Sequence, residues 1–249
     1  MVEVIVMVYN ERMLLPFFLD HYRWADKIHV IIDEDTTDNS EEICKEYENV
    51  VTSHYKFPDM LNASLLSEAV NNVATICKDW IIAVDCDEFI FHKEHKNVKK
   101  FLEEQATKKK MVADFYEVFR HRSEADLDYS KPALFQRRHG NPKLGVSYGI
   151  QLYHKPIIAK RELNPTWTAG KHRLRVDGRY AIAQSKERLL GAHWSMADPD
   201  VAVYRRIKNM KERMSDHDTS LGMGKQHFNI TEEEIRKECE RWLDAPQLF

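Results

Sequence analysis

Apolar residues in this chain fall into two alternating patterns: short unbroken runs rich in valine and isoleucine, and longer stretches in which they recur every three or four positions. Val2–Tyr9 is of the first kind and predicts a buried central strand. Met13–Trp24 is of the second, with apolar residues at 14, 15, 17, 18, 19, 22 and 24 and Pro16 where a first helical turn accepts it. A second strand, Lys27–Ile32, runs into Asp33-Glu34-Asp35-Thr36-Thr37-Asp38-Asn39-Ser40, whose turn and capping residues predict a helix over Glu41–Tyr47. Val50–Tyr55 is a third strand, and Ser64–Trp80 is an amphipathic helix. It leads into Trp80-Ile81-Ile82-Ala83-Val84-Asp85-Cys86-Asp87-Glu88-Phe89-Ile90-Phe91, an apolar run broken by three carboxylates.

Strands alternating with helices imply right-handed crossovers and an α/β fold, a mostly parallel central sheet flanked by helices. Ligands of such sheets bind beyond the carboxyl ends of the strands, where Asn10, Asp33 and Asp85 all fall. Acids are rarely left buried without a partner, so Asp85, Asp87 and Glu88 predict a cation at the strand tip. Hard divalent ions suit oxygen ligands, and Mg²⁺ is usually held by one or two carboxylates together with substrate phosphates.

Downstream, Asn97–Ala106 is a short helix and Met111–Arg120 a strand. Periodicity then weakens from about 121 to 197, a stretch rich in His, Arg, Gly and aromatics and expected to form long functional loops. Asp198-Pro199 starts a helix reaching about Met214, with Val201, Tyr204, Ile207 and Met210 on one face. Thr231-Glu232-Glu233-Glu234 is a capping box for a last helix with Ile235, Cys239, Trp242 and Leu243 inward. Ser215–Asn229, with Gly222 and Gly224, is expected to be a lid. The chain carries neither an internal repeat nor a Pro-, Gly- or Ser-rich linker, so residues 1–249 are expected to form one domain.

The 249 residues, 43% of them hydrophobic, allow a sizeable core. A formal charge of -3, from 37 basic and 40 acidic residues, gives no global field for nucleic acid or an anionic membrane. Cys44, Cys77, Cys86 and Cys239 lie far apart without a C-x-x-C pair, which points to free thiols and a cytoplasmic protein. No run has the length or flanks of a signal peptide or membrane span, while peripheral contact with a membrane stays open.

Val8-Tyr9-Asn10-Glu11, then Ile32 to Ser40, then Val84-Asp85-Cys86-Asp87-Glu88-Phe89 resemble, in order and spacing, the successive signatures of family-2-like glycosyltransferases of the GT-A fold, whose third signature is a D-x-D. The likeness covers roughly the first 120 residues; Gly170-Lys171-His172 and Gly191-Ala192-His193-Trp194 before a basic helix resemble the family's second half more loosely. The resemblance implies a Rossmann-like GT-A fold with a nucleotide-sugar half (about 1–120) and an acceptor-side, C-terminally helical half (about 121–249). It also implies transfer of a sugar from a nucleotide diphosphate sugar, UDP-linked by expectation, to a glycan or other hydroxyl acceptor, as in polysaccharide biosynthesis.

By the same resemblance Asp87 is the direct metal ligand, Asp85 approaches the ribose or the metal, and Glu88 orients one of them or the acceptor. Asn10, Glu11, Asp33 and Asp35 line the nucleotide pocket, although this chain has Asp33-Glu34-Asp35-Thr36 where the family carries Asp-Asp-Gly-Ser. His193, with His172 as its rival, stands where a late metal-binding histidine comes, and imidazole with carboxylates suits Mn²⁺ as well as Mg²⁺. An inverting reaction needs a carboxylate to take the acceptor's proton. Asp177 is the candidate, with Glu162 and Glu187 as rivals. Arg137, Arg138, Lys171 and Arg173 suit phosphate oxygens, and Trp167 and Trp194 suit either a sugar face or the core. Two other classes fit acids at strand ends: a metal-dependent nucleotidyltransferase or phosphohydrolase, and a sugar- or nucleotide-binding module of the same fold without turnover. Nucleotidyltransferases of the related sheet architecture usually have a Gly-rich basic loop after the first strand, where this chain has Asn10-Glu11-Arg12.

Overall fold

The computed structural model describes residues 1–58, 62–94, 97–105, 107–147, 150–151, 154–181, 189–220 and 229–249. β1 (Val2–Val8), β2 (Lys27–Asp33), β3 (Val50–Tyr55) and β4 (Trp80–Ala83) lie side by side in the order β3-β2-β1-β4, all parallel. The connections are α1 (Leu15–Tyr22), α2 (Ser40–Cys44) and α3 (Ala63–Ala74). Alternation along β1 decides which face each residue serves. Val2, Val4, Val6 and Val8 pack with Leu15, Phe18, Leu19 and Tyr22 of α1, whereas Ile5 packs with Val70 and Ala74 of α3.

The acidic run is two strands, not one. Past β4 the chain leaves the middle of the sheet, and Asp85-Cys86-Asp87 carries it to β5 (Glu88–Phe91) at the far edge. α4 (Val98–Glu103) leads to β6 (Lys110–Phe119), and α5 (Ala133–Gln136) precedes β7 (His139–Gly140), which pairs with the end of β6. β8 (Val146–Ser147) and β9 (Ile150–Gln151) form a separate hairpin. β10 (His154–Lys160) inserts antiparallel between β4 and β6. β11 (Pro165–Trp167), β12 (Leu174–Val176) and β13 (Arg179–Ala181) make a small antiparallel sheet. β14 (Leu189–Met196) runs parallel to β6 and antiparallel to β5.

The large sheet thus reads β3-β2-β1-β4-β10-β6-β14-β5, a mostly parallel sheet in which only β10 and β5 oppose the common direction along that path, among the described residues. The stretch 121–197, expected to be loops, instead supplies β10 and β14 to this sheet. Their polar residues concealed them: Lys155 and His193 are charged or titratable yet buried. After β14, α6 (Pro199–Val203) is capped by Asp198 and continues as a π-helix over Tyr204–Met210, then a 3-10 turn over Lys211–Arg213. The wider π turn changes which face is inward: Arg206, Asn209 and Arg213 are buried while Tyr204, Ile207 and Met210 are only partly so. α7 (Asp216–Ser220) and α8 (Glu232–Arg241) complete the chain, α8 opening on the expected Thr231/Glu234 capping box. Of the expected lid, residues 221–228 lie outside the described residues. All four cysteines are free and buried, and no helix among the described residues is long and apolar enough to cross a membrane.

Candidate active site

Strand direction alone gathers the chemistry at one edge. Parallel strands β1, β2, β4, β6 and β14 end where the opposed strands β5 and β10 begin. Residues after β1 and β4, at the ends of β2, β6 and β14, and at the starts of β5 and β10 therefore meet there. These are Asn10-Glu11, Asp33, Asp85-Cys86-Asp87, Glu117, His193, Glu88 and Lys155.

Each carboxylate in this cluster faces a protein cation. Asp85 accepts from Lys171 Nζ on one oxygen and from Lys155 Nζ, at 3.1 Å, on the other. Lys155 also contacts Glu88 Oε1, and Glu88 Oε2 accepts the Asp85 N–H at 3.0 Å. Burial favours the neutral form of Asp85, but Lys171 and Lys155 outweigh it and hold the carboxyl well below the usual range. Burial likewise opposes the charge on Lys155, and Glu88 and Asp85 reverse that, raising its pKa. Glu88 has no exposed surface, and burial raises it despite Lys155. It is a strut beneath Asp85, in a position where the resemblance has it orienting the ribose, the metal or the acceptor.

Asp87 is held between Arg205 Nη1 and His193 Nε2, the latter at 3.3 Å. His193 Nδ1 lies 2.9 Å from Glu117 Oε2, and Ser195 Oγ donates to Glu117 Oε1 at 2.7 Å. Burial would strip the imidazole of its proton, but Glu117 and Asp87 prevail and raise His193 to about 10. Arg205 also forks onto Glu11, its Nε 3.0 and 3.1 Å from the two carboxylate oxygens. Burial pushes Glu11 up to about 7 against that guanidinium.

The nucleotide-side expectations resolve into a scaffold. Asn10 adopts a left-handed conformation (φ 50) and its Oδ1 accepts from the Thr37 and Asp38 amides at 2.7 and 3.1 Å, pinning the loop after β2. Asp33 is buried and accepts from Arg213 Nη2 at 2.7 Å, while Asp35 is exposed and 3.9 Å from the same guanidinium. Arg213 lies over the Tyr9 ring, 3.4 Å from its centre, and Asn209 Nδ2 donates to Tyr9 O and Asn10 O at 2.9 and 3.2 Å. Thr36 Oγ1, Asn209 Oδ1 and Arg213 Nη1 are buried and have no hydrogen-bond partner among the described residues.

In Gly170-Lys171-His172 the lysine, not the histidine, turns inward. Lys171 is buried in a left-handed conformation (φ 58) that costs a non-glycine residue about 1–2 kcal/mol, offset by its contact with Asp85. The His172 ring folds against Gly170. Asp177 occupies, with Gly178, the two-residue turn joining β12 to β13, both at positive φ (46 and 77) as a type I′ hairpin turn requires. It is exposed and accepts from Asn164 Nδ2 at 3.0 Å, so its placement is explained by turn geometry and not by the acid cluster. Glu162 is paired with Lys109 at the surface, and Glu187 lies outside the described residues. Arg137 is buried and bonded to the carbonyls of Ala197 and Ala125, Arg138 bonds Phe249 O, and Arg173 covers Tyr180. Trp167 and Trp194 are core residues.

For a divalent ion, the donors that fit are Asp87 and His193, because Glu117 engages the imidazole's other nitrogen as an outer-shell carboxylate does for a metal-bound histidine. Asp85 fits less well, both its oxygens being on lysines, and among the described residues the ligand atoms of Asp85, Asp87 and His193 are not all within 4.8 Å of one another. Lys155, Arg205, Arg213, Asn209 and Glu117 were missed in the sequence. The basic character of the helix after Trp194 was visible, but not which of its residues the π turn aims inward.

No family model and no curated protein matches the chain. Among solved structures, residues 1–349 of S. aureus TarS align at 12% identity over 83% of this chain and 63% of that one, with a TM-score of 0.40. The same segment of TarS in complex with UDP-GlcNAc aligns at 12% identity over 93% and 74%, with a TM-score of 0.41. A 4-diphosphocytidyl-2C-methyl-D-erythritol synthase from Anaerococcus prevotii DSM 20548 aligns at 13% identity over 51% and 58%, with a TM-score of 0.32. The chain spans less than two thirds of the first of these.

Proposed function

We propose that this protein is a glycosyltransferase that moves a sugar from a nucleoside diphosphate sugar to a hydroxyl acceptor. The observation that carries the reading is the meeting of three strand-end motifs, Asn10-Glu11, Asp33-Glu34-Asp35 and Asp85-Cys86-Asp87-Glu88, with inward-turned cations at one edge of a sheet. Breaking the bond between sugar and diphosphate builds negative charge on the leaving group, and fixed cations aimed there stabilise it. Arg205 and Lys171 are the residues for that role: each sits on a carboxylate whose contact it can exchange for a phosphate oxygen.

Asp87 and His193 would hold Mn²⁺ or Mg²⁺, which would add its charge to the same leaving group. The unpartnered Thr36, Asn209 and Arg213 atoms lie beside Asn10 and Asp33, on the nucleoside's side of the site, and offer it both donors and an acceptor. Asp85 serves this reading as the anchor of Lys155 and Lys171. The whole chain acts as one unit in it, since strands from both halves build the edge on which the cations and acids meet.

The test is a screen of nucleotide sugars, UDP-GlcNAc and UDP-glucose among them, with Mn²⁺ and an alcohol or glycan acceptor. Release of nucleoside diphosphate is the expected product, slowed about a hundredfold or more in Arg205→Ala. Nucleoside monophosphate or pyrophosphate as the product would assign the protein to the hydrolases or nucleotidyltransferases, and no turnover with any donor would leave a binding module.

A further inference from the structure

A second polar cluster lies toward the amino-terminal ends of the parallel strands, opposite the end where the acids gather. On the α3 face of β1 and β2, Glu3 and His29 are set among Ile5, Ile31 and Ile81, with Cys77 packed on the same face from the segment between α3 and β4. Glu3, His29 and Cys77 are only 2%, 5% and 4% exposed. Glu3 Oε2 is 2.7 Å from His29 Nε2, and Glu3 Oε1 accepts the Lys78 N–H at 2.6 Å. The ligand atoms of all three side chains lie within 4.8 Å of one another, the sole such group of His, Cys, Asp and Glu among the described residues. Seven residues of extended chain, about 23 Å, separate Glu3 from Asn10 and the acid cluster.

These groups are hydrogen-bonded within the fold, Cys77 Sγ donating to Val73 O at 3.6 Å, but aliphatic packing does not call for them here. A buried ion pair replaced by apolar residues of similar volume is often neutral or stabilising, and the rest of the surrounding face is already aliphatic. The three side chains come from two adjacent core strands and the segment that leads into a third, so their convergence is set by the fold.

We propose that Glu3, His29 and Cys77 form a binding site for a divalent transition metal of the Zn²⁺ class. Oxygen, nitrogen and sulfur together suit Zn²⁺ or Co²⁺ and exclude the hard ions Mg²⁺ and Ca²⁺. One carboxylate, one thiolate and one neutral imidazole sum with the ion to zero net charge, which is what burial in an aliphatic face demands. Binding releases the thiol proton, and any proton shared by His29 and Glu3, to solvent. With bonds of about 2.0 Å to nitrogen and oxygen in a tetrahedral set, the Glu3–His29 separation opens to about 3.3 Å, and a water completes the shell. The ion would tie the end of α3 to β1 and β2.

Untagged full-length protein titrated with Co²⁺ tests this. The expected result is an intense near-ultraviolet thiolate-to-cobalt band that Zn²⁺ displaces, lost in Cys77→Ser and kept in Asp87→Asn. Absence of the band in the wild type at saturating Co²⁺, or its persistence in Cys77→Ser, overturns the proposal. Should Cys77→Ser not fold, Glu3→Gln keeps an acceptor for the Lys78 amide and is expected to weaken Zn²⁺ binding by more than about tenfold. An unchanged affinity there also overturns it.

Discussion

Single side chains at the sheet's acidic edge are held by opposites. Arg205 bridges Glu11 and Asp87, and removing one partner of a buried pair leaves the others uncompensated. Arg205→Ala is therefore expected to lower unfolding free energy by about 3 kcal/mol in urea titrations, and Glu11→Gln in the same background to recover part of the loss. His21 offers a pH signature away from that edge. Its Nε2 bonds the Ile90 carbonyl at 2.8 Å, and burial lowers the imidazole from 6.5 to about 4. A depressed histidine stabilises the fold fully above its unfolded pKa and loses that contribution as pH falls toward the folded one. Stability should thus decline from pH 6.5 to 4, and His21→Asn should flatten that limb of a melting-temperature profile.

Among the elements, short irregular pieces do more positioning than the long regular ones. The π-helix over Tyr204–Met210 turns Arg205 onto Asp87 and Asn209 onto the end of β1, an arrangement that a regular helix built on Val201, Tyr204, Ile207 and Met210 does not give. The β12–β13 turn explains Asp177 without catalysis. Asp177→Ala is expected to cost about 1 kcal/mol, from its left-handed backbone, and to leave the transfer rate unchanged; a collapse in rate at intact stability would make it the base after all. In β14, a Cβ on Gly191 would stand 2.3 Å from the Phe115 ring, so Gly191→Ala should destabilise by about 1–3 kcal/mol by calorimetry. The first four strands and their helices were legible in the sequence because β1, β2 and β4 are buried on both faces and read as unbroken apolar runs, while the helices repeat every three or four residues. β10 and β14 were not, since Lys155 and His193 interrupt their apolar pattern and are tolerated inside only through partners distant in sequence: Asp85 and Glu88 for one, Asp87 and Glu117 for the other.

For the molecule as a whole, one sheet carries two polar clusters at opposite ends of its parallel strands, and only one was legible in the sequence. The acids after β1, β2 and β4 could be placed together from strand order alone. Their cations could not, because Lys155, Lys171, Arg205 and Arg213 come from the second half of the chain and reach the edge through topology. A site so fully paired must exchange some protein contacts for ligand, and binding therefore has to show up as linkage to stability. The decisive measurement is the melting temperature with UDP, Mn²⁺, both and neither, in wild type and Asp87→Asn. UDP with Mn²⁺ is predicted to raise the wild-type value beyond the sum of the separate shifts, and Asp87→Asn to keep only the metal-independent part. A wild type indifferent to UDP with Mn²⁺, or an Asp87→Asn variant responding as the wild type does, would contradict the assignment of this edge as a nucleotide-sugar site.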